Sequence, residues 1–173
     1  MIQKTLKVLI AVTTISTIAA SNNADSAQLN SKAHIRILEP ITFVEEHKLN
    51  FGVISTPDAA GTLELSSLGV VLPQSTVKHL DKSEVSAAKL KIFGSNSQNI
   101  SISAEYLQNE PAIDLVSMAA EYEGEQGDLI NSMTNLASSN TGKTLTFGAN
   151  LAINDTLTEG NYYPALKLSI NYE

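Results

Sequence analysis

Few residues in this chain are placed to do chemistry. Its three histidines, His34, His47 and His79, stand too far apart in sequence for the short spacings of a metal-binding helix or loop. There is no cysteine, which removes zinc-finger, thiol-redox and cysteine-nucleophile chemistry. Serines are plentiful, but no Gly-x-Ser-x-Gly elbow, His-Glu-x-x-His pair or phosphate-cradling glycine loop occurs. The acidic run Glu121, Glu123, Glu125 and Asp128 is the one cluster with the look of a site. Carboxylates on a glycine-containing loop can bind calcium, but this spacing matches no calcium loop. Glu121 and Glu123 instead flank Tyr122 as the solvent face of a strand does. Asn99-Ile-Ser101 and Asn154-Asp-Thr156 fit the glycosylation sequon, which matters only in a host with that machinery. The expectation is a protein with no catalytic residue, no metal and no cofactor, and not an enzyme.

The residues with a strong pattern are those that make surfaces. Leu166, Leu168, Ile170 and Tyr172 share one parity, and Lys167, Ser169 and Asn171 the other. Strict period-two alternation predicts a strand with one buried face. Lys143 to Asn154 predicts another, with Leu145, Phe147, Ala149, Leu151 and Ile153 in phase. Ala33, Ile35 and Ile37 alternate with His34, Arg36 and Leu38 ahead of Pro40, which cannot donate to a sheet ladder. Residues 32–38 therefore read as a strand separable from the rest of the chain.

Between these lie further short strands: 41–45 running on toward 49–54, then 62–65, an irregular 70–80, 88–93, 100–106 and 113–123. Turn chemistry separates them at 57–61, 81–83, 94–98 (a hairpin turn) and 109–111. Residues 124–142 read as the longest loop, with a short helix conceivable over 129–136. Tyr162, just before the last strand, is placed for a corner hydrogen bond. About eight short strands without a long helix predict an all-β, immunoglobulin-like antiparallel β-sandwich.

The chain of 173 residues fits one domain behind an address. Lys4 and Lys7 precede an apolar run over residues 8–20, too short and polar to span a bilayer but suited to a secretory signal peptide. The expected layout is signal peptide and leader 1–27, cleaved between 20 and 27, then an N-terminal extension 28–39 and a domain 40–173. Without residues 1–27 the chain carries 9 basic against 17 acidic residues, a net charge of −8. That argues against nucleic acid and anionic lipid as partners. No transmembrane span is expected in the mature chain. An exported chain without cysteine must be held by its core or by a partner, without a covalent staple.

Gly160 stands fourteenth from the end and Tyr172 is penultimate, with alternating apolar residues between them. That spacing resembles the C-terminal signature of chaperone–usher pilus subunits. Residues 143–153, then Gly160-Asn-Tyr162, together with Pro40-Ile-Thr, Leu49-Asn-Phe-Gly52, Gly61-Thr62 and Phe93-Gly94, resemble a widespread bacterial secreted domain of unknown function with pilin-like character. The layout is also similar to major subunits of alternate chaperone–usher fimbriae, which lack disulfides and carry an alternating segment ahead of a proline.

The resemblance implies donor-strand exchange, in which a sandwich missing one strand takes up the N-terminal strand of a neighbour. Carried over, the donor is residues 31–38, with Ala33, Ile35 and Ile37 facing inward. The acceptor groove is edged by Gly160, Leu166, Leu168, Ile170 and Tyr172. Implied partners are copies of itself or related subunits, with a periplasmic chaperone and an outer-membrane usher in transit. The implied destination is the periplasm, then the cell surface or exterior. Two other readings stand beside it. Residues 32–38 can be the domain's own first strand, leaving a self-complete, monomeric secreted binding module that uses the 124–142 loop. A secreted enzyme lacks any constellation to support it.

Overall fold

The alternation that dominates the sequence becomes thirteen strands and one 3-10 turn in the computed structural model, which describes residues 34–55, 58–72 and 75–173. The strands are β1 (Thr42–His47), β2 (Val53–Ile54), β3 (Gly61–Glu64), β4 (His79–Asp81), β5 (Ala88–Phe93), β6 (Asn99–Tyr106), β7 (Ile113–Ser117), β8 (Ala119–Tyr122), β9 (Glu125–Asp128), β10 (Met133–Ala137), β11 (Lys143–Phe147), β12 (Asn150–Ile153) and β13 (Leu166–Tyr172). The 3-10 turn is Leu129–Asn131. The chain divides into two units, residues 1–35 and 36–173; only His34 and Ile35 of the first are described.

The second unit is an all-β antiparallel sandwich. One sheet has the order β1-β5-β11-β8-β9, a second β10-β6-β13, a third β3-β12-β7, and β2 pairs with β4. Side chains alternate across each strand, so Ala88, Leu90 and Ile92 of β5 meet Ile100 and Ile102 of β6 in one core with Tyr122, Leu129 and Leu145. The five in-phase residues Leu145, Phe147, Ala149, Leu151 and Ile153 are all buried, as the pattern predicts. They do not belong to one strand, however. The chain breaks at Gly148, where a Cβ would overlap the carbonyl oxygens of Leu65 and Ser66, and β11 and β12 enter different sheets. The run 113–123 divides the same way at Met118, which is fully buried between β7 and β8.

Three further expectations are corrected. The turn at 94–98 is not a hairpin, because β5 and β6 are not partners; it carries the chain from one layer to the other. The expected loop 124–142 is largely ordered backbone. Glu123 and Gly124, both at positive φ, form a two-residue connection of the kind that joins tightly paired strands, and β9 folds back on β8 with Tyr122 opposite Glu125. The 3-10 turn and β10 come next, β10 pairing with β6. Asp128 caps that turn by accepting from Ile130 N and also accepts from Met118 N, both at 3.0 Å. Finally, the irregular strand expected over 70–80 reduces, among its described residues, to a bridge at Val71 and the start of β4.

This core makes two measurable demands. Gly148→Ala is expected to lower the thermal unfolding midpoint by several degrees, because the displaced groups are backbone carbonyls rather than flexible side chains. Tyr122 donates from its hydroxyl to the Ala137 carbonyl at 3.0 Å. Burial, and then the charge of Glu123, push that hydroxyl up to about 12. In the unfolded chain it ionises near 10, so its contribution is constant below that pH and is lost as pH rises from about 10 toward about 12. Denaturant midpoints across that window should fall more steeply for the parent than for Tyr122→Phe.

Candidate functional site

β13 pairs with β6 along its whole length, from Leu166 opposite Tyr106 to Tyr172 opposite Ile100. Among the described residues no strand pairs with its other edge. Leu168 and Ile170 lie opposite Ala104 and Ile102. Directly opposed residues share a face, so they point inward. Leu166, Leu168, Ile170 and Tyr172 nonetheless remain only partly buried against the core. Lys167 on the outward face pairs with Glu105 at 3.6 Å, an exposed contact of little energetic weight.

The facing sheet ends in the same way. Among the described residues β1 pairs only with β5, and it puts Phe43 opposite Ile92 and Glu45 opposite Leu90. Ile92 is 1% exposed, yet Phe43, on the same inward face, is 58% exposed. A side chain that points inward and still meets solvent has nothing above it in the opposite layer. The edge continues through the Asn50–Ser86 bridge into β2, and Ile41, Leu49, Phe51 and Ile54 along it are partly buried against the core.

These two edges run in opposite directions and are tied at one end by hydrogen bonds. The Tyr172 hydroxyl donates to the Glu39 carbonyl at 2.7 Å and accepts from Ser95 N at 2.6 Å. Glu39 N donates to Ser95 Oγ at 2.6 Å. At the other end they border a cleft of ≈ 730 Å³ lined by Phe51, Val53, Ile54, Gly160, Tyr162 and Tyr163 among others. Tyr162 makes its corner bond there, donating to Thr158 O at 3.0 Å. Asn109 and Glu110 hold the neighbouring backbone, accepting from Ala165 N and Tyr163 N at 2.6 and 3.2 Å. The space between β13 with its lead-in and the edge formed by residues 41–54, bounded by this tie and this cleft, is a groove with partly covered apolar side chains along it.

The structure brings most of the sequence-derived site residues together on this groove. Leu166, Leu168, Ile170 and Tyr172 form one edge, and Gly160 lines the cleft beyond them. Ala33 lies outside the described residues. Ile35 and Ile37 are 82% and 85% exposed, and residues 34–41 carry no strand. The strand expected over 32–38 is thus not part of the domain's own sheets where it is described. Phe43 escapes a reading by sequence, since Thr42-Phe-Val carries no clean alternation. Tyr163 is 75% exposed. Of the acidic run, Asp128 serves as a cap and Glu123 accepts from Thr144 N at 2.8 Å. Among the described residues no group of three histidines or carboxylates is placed to hold a metal, and no helix is long and apolar enough to cross a membrane.

A family model described as Domain of unknown function (DUF4402) matches residues 41–172. The chain belongs to this family. The DUF4402 match starts immediately after Pro40 and ends on Tyr172, so it spans both groove edges and leaves out the segment with Ile35 and Ile37. Comparison with curated proteins and with solved structures finds no match.

Two glycines of the DUF4402 domain differ in a way that checks this geometry. A Cβ on Gly94 would stand 2.8 Å from the Tyr172 hydroxyl oxygen, whereas one on Gly160 would meet only the Tyr162 ring at 3.7 Å or more. Gly94→Ala should therefore lower the unfolding midpoint measurably. Gly160→Ala should leave it within about 2 °C, a change of no more than about 0.5 kcal/mol.

Proposed function

We propose that this protein is a structural subunit of an exported, surface-located fibre, polymerising by donor-strand exchange, and that its role is not catalytic. The observation that carries the reading is Phe43, inward-pointing and 58% exposed, across from an edge strand that, among the described residues, pairs on one side only. Two half-covered apolar rows and two edge strands, β1 and β13, each paired on one side among the described residues, are what a sandwich lacking a strand presents. Left open, such an edge invites uncontrolled pairing.

Strand addition satisfies the backbone groups of β13 and buries alternate side chains in the groove. The occupant favoured here is the segment before Pro40 of a second copy. It has the required alternation, and Ile37 stands 85% exposed. Residues 32–38 and β13 each count seven residues, or about 20 Å of extended chain, so the segment can cover the edge. Each isoleucine buried in the groove contributes about 1.5–3 kcal/mol before ordering costs. A fibre built this way supports adhesion, with a periplasmic chaperone and an outer-membrane usher as the partners that would manage the open edge during export. The self-complete binding-module reading loses the loop it relied on, because residues 124–142 are mostly strand and 3-10 turn.

The test is the size of the mature protein purified from the periplasm. The parent should form denaturant-resistant multimers. Ile35→Asp with Ile37→Asp should abolish them while leaving the unfolding midpoint of the monomer within about 2 °C, since neither side chain is buried in the domain. Fusing residues 28–39 through a flexible linker to the C-terminus should give a stable monomer. A parent that is already a stable monomer, unaltered by the fusion, would overturn the reading.

A further inference from the structure

The tie at the Tyr172 end of the groove has a directional consequence. Glu39 has both of its backbone polar groups committed: its N–H donates to Ser95 Oγ and its carbonyl accepts from the Tyr172 hydroxyl. Ser95 is itself fixed, because its own N–H donates to Tyr172 and its carbonyl accepts from Ser138 Oγ. Ser138 is the one buried polar residue among those described, and its single hydroxyl proton is shared between the Ser95 carbonyl and Gln98 O, the latter at 3.0 Å. Pro40 adds no N–H and favours extended backbone at Glu39. The point from which the N-terminal segment leaves the domain is therefore clamped beside the end of β13.

From that point the segment has one way into its own groove. Its residue 38 would lie beside the Tyr172 end and its residue 32 beside the Leu166 end, so it would run parallel to β13. Entry also requires the chain to reverse direction at Glu39 before β1, where Glu39 N and O are already held by Ser95 and Tyr172. A second copy entering from the cleft end places its residue 38 beside Leu166 and its earlier residues toward Tyr172, antiparallel to β13. Antiparallel pairing has straighter hydrogen bonds and is the stabler of the two.

We infer that the Tyr172–Ser95–Glu39 latch is a positioning device that withholds the segment before Pro40 from its own groove and commits it to that of a second copy. This rests on the strand-exchange reading above. Tyr172 acts here through the backbone of Glu39, apart from its place on the groove edge, and Ser95 takes part without touching the incoming strand.

The chain contains no cysteine, so engineered disulfides report the pairing without background. With the latch intact, His34→Cys paired with Asn171→Cys should cross-link between copies, and His34→Cys paired with Lys167→Cys should not cross-link within one. Introducing Ser95→Ala, which removes the one bond from Glu39 N, should raise the monomer share about fivefold; Tyr172→Phe, which removes two, should raise it at least as much, and the His34–Lys167 pair should then close within single chains. Ser95→Ala leaves the Tyr172 ring in place and gives the answer if Tyr172→Phe does not fold. Unchanged multimer shares and cross-links in a folded latch variant would overturn the latch while strand exchange stands. An absence of multimers and cross-links between copies with the latch intact would overturn strand exchange, and this inference with it.

Discussion

A β-strand that is apolar on one face and bare along one edge makes two separate demands, and β13 has only half of each met. Among the described residues its backbone pairs with β6 alone, and its inward row from Leu166 to Tyr172 is only partly covered. The rest of the groove depends on that. β1 lies in the facing layer with no strand above it, so Phe43 points inward and meets solvent. The segments that lead into each edge are held by specific polar bonds, Tyr172 to Glu39 at one end and Asn109 and Glu110 to the 163–165 backbone at the other. The groove is therefore a fixed feature of the sandwich, with built ends.

The closed part of the sandwich shows why the open part is tolerable. Tyr122, Leu65, Ile92, Ile100, Ile102, Met118, Leu129 and Leu145 are fully buried, and five of them stand on β5, β6, β8 and β11, inside the edge strands β1 and β13. Burial of this kind contributes about 1.5–3 kcal/mol per large side chain. The domain has no disulfide to draw on, and its buried apolar residues, Leu65 apart, form one core cluster. A second copy's segment would extend that core across the remaining side.

Much of this is readable from residue order, and the misses have definite causes. Period-two alternation marks β13, β5, β6 and the buried face of β11 and β12, because inward parity survives even where a strand changes sheet. It cannot show that Gly148 and Met118 are crossing points, since the reason at Gly148 lies in the distant carbonyls of Leu65 and Ser66. The hairpin at Glu123-Gly124 is hidden by an acidic run that looks like a solvated loop. On the groove, the terminal strand is visible from its alternation, and Gly160 through the family resemblance that its spacing carries. Phe43 is not, because whether an edge residue is covered depends on which strand, if any, stands across from it in the other layer. The Glu39–Ser95–Tyr172 latch is equally invisible, as it joins positions far apart in sequence through backbone groups that carry no residue code.

The central claim is that the outer edge of β13 waits for a strand, and amide hydrogen exchange reads that edge directly. In the separated monomer, amides of residues 166–172 directed away from β6 should exchange freely, while those bonded to β6 are protected. In the assembled form the same outward amides should become protected by several orders of magnitude, as members of a buried ladder. Outward amides already protected in the monomer, or exchanging equally fast in both forms, would contradict the account.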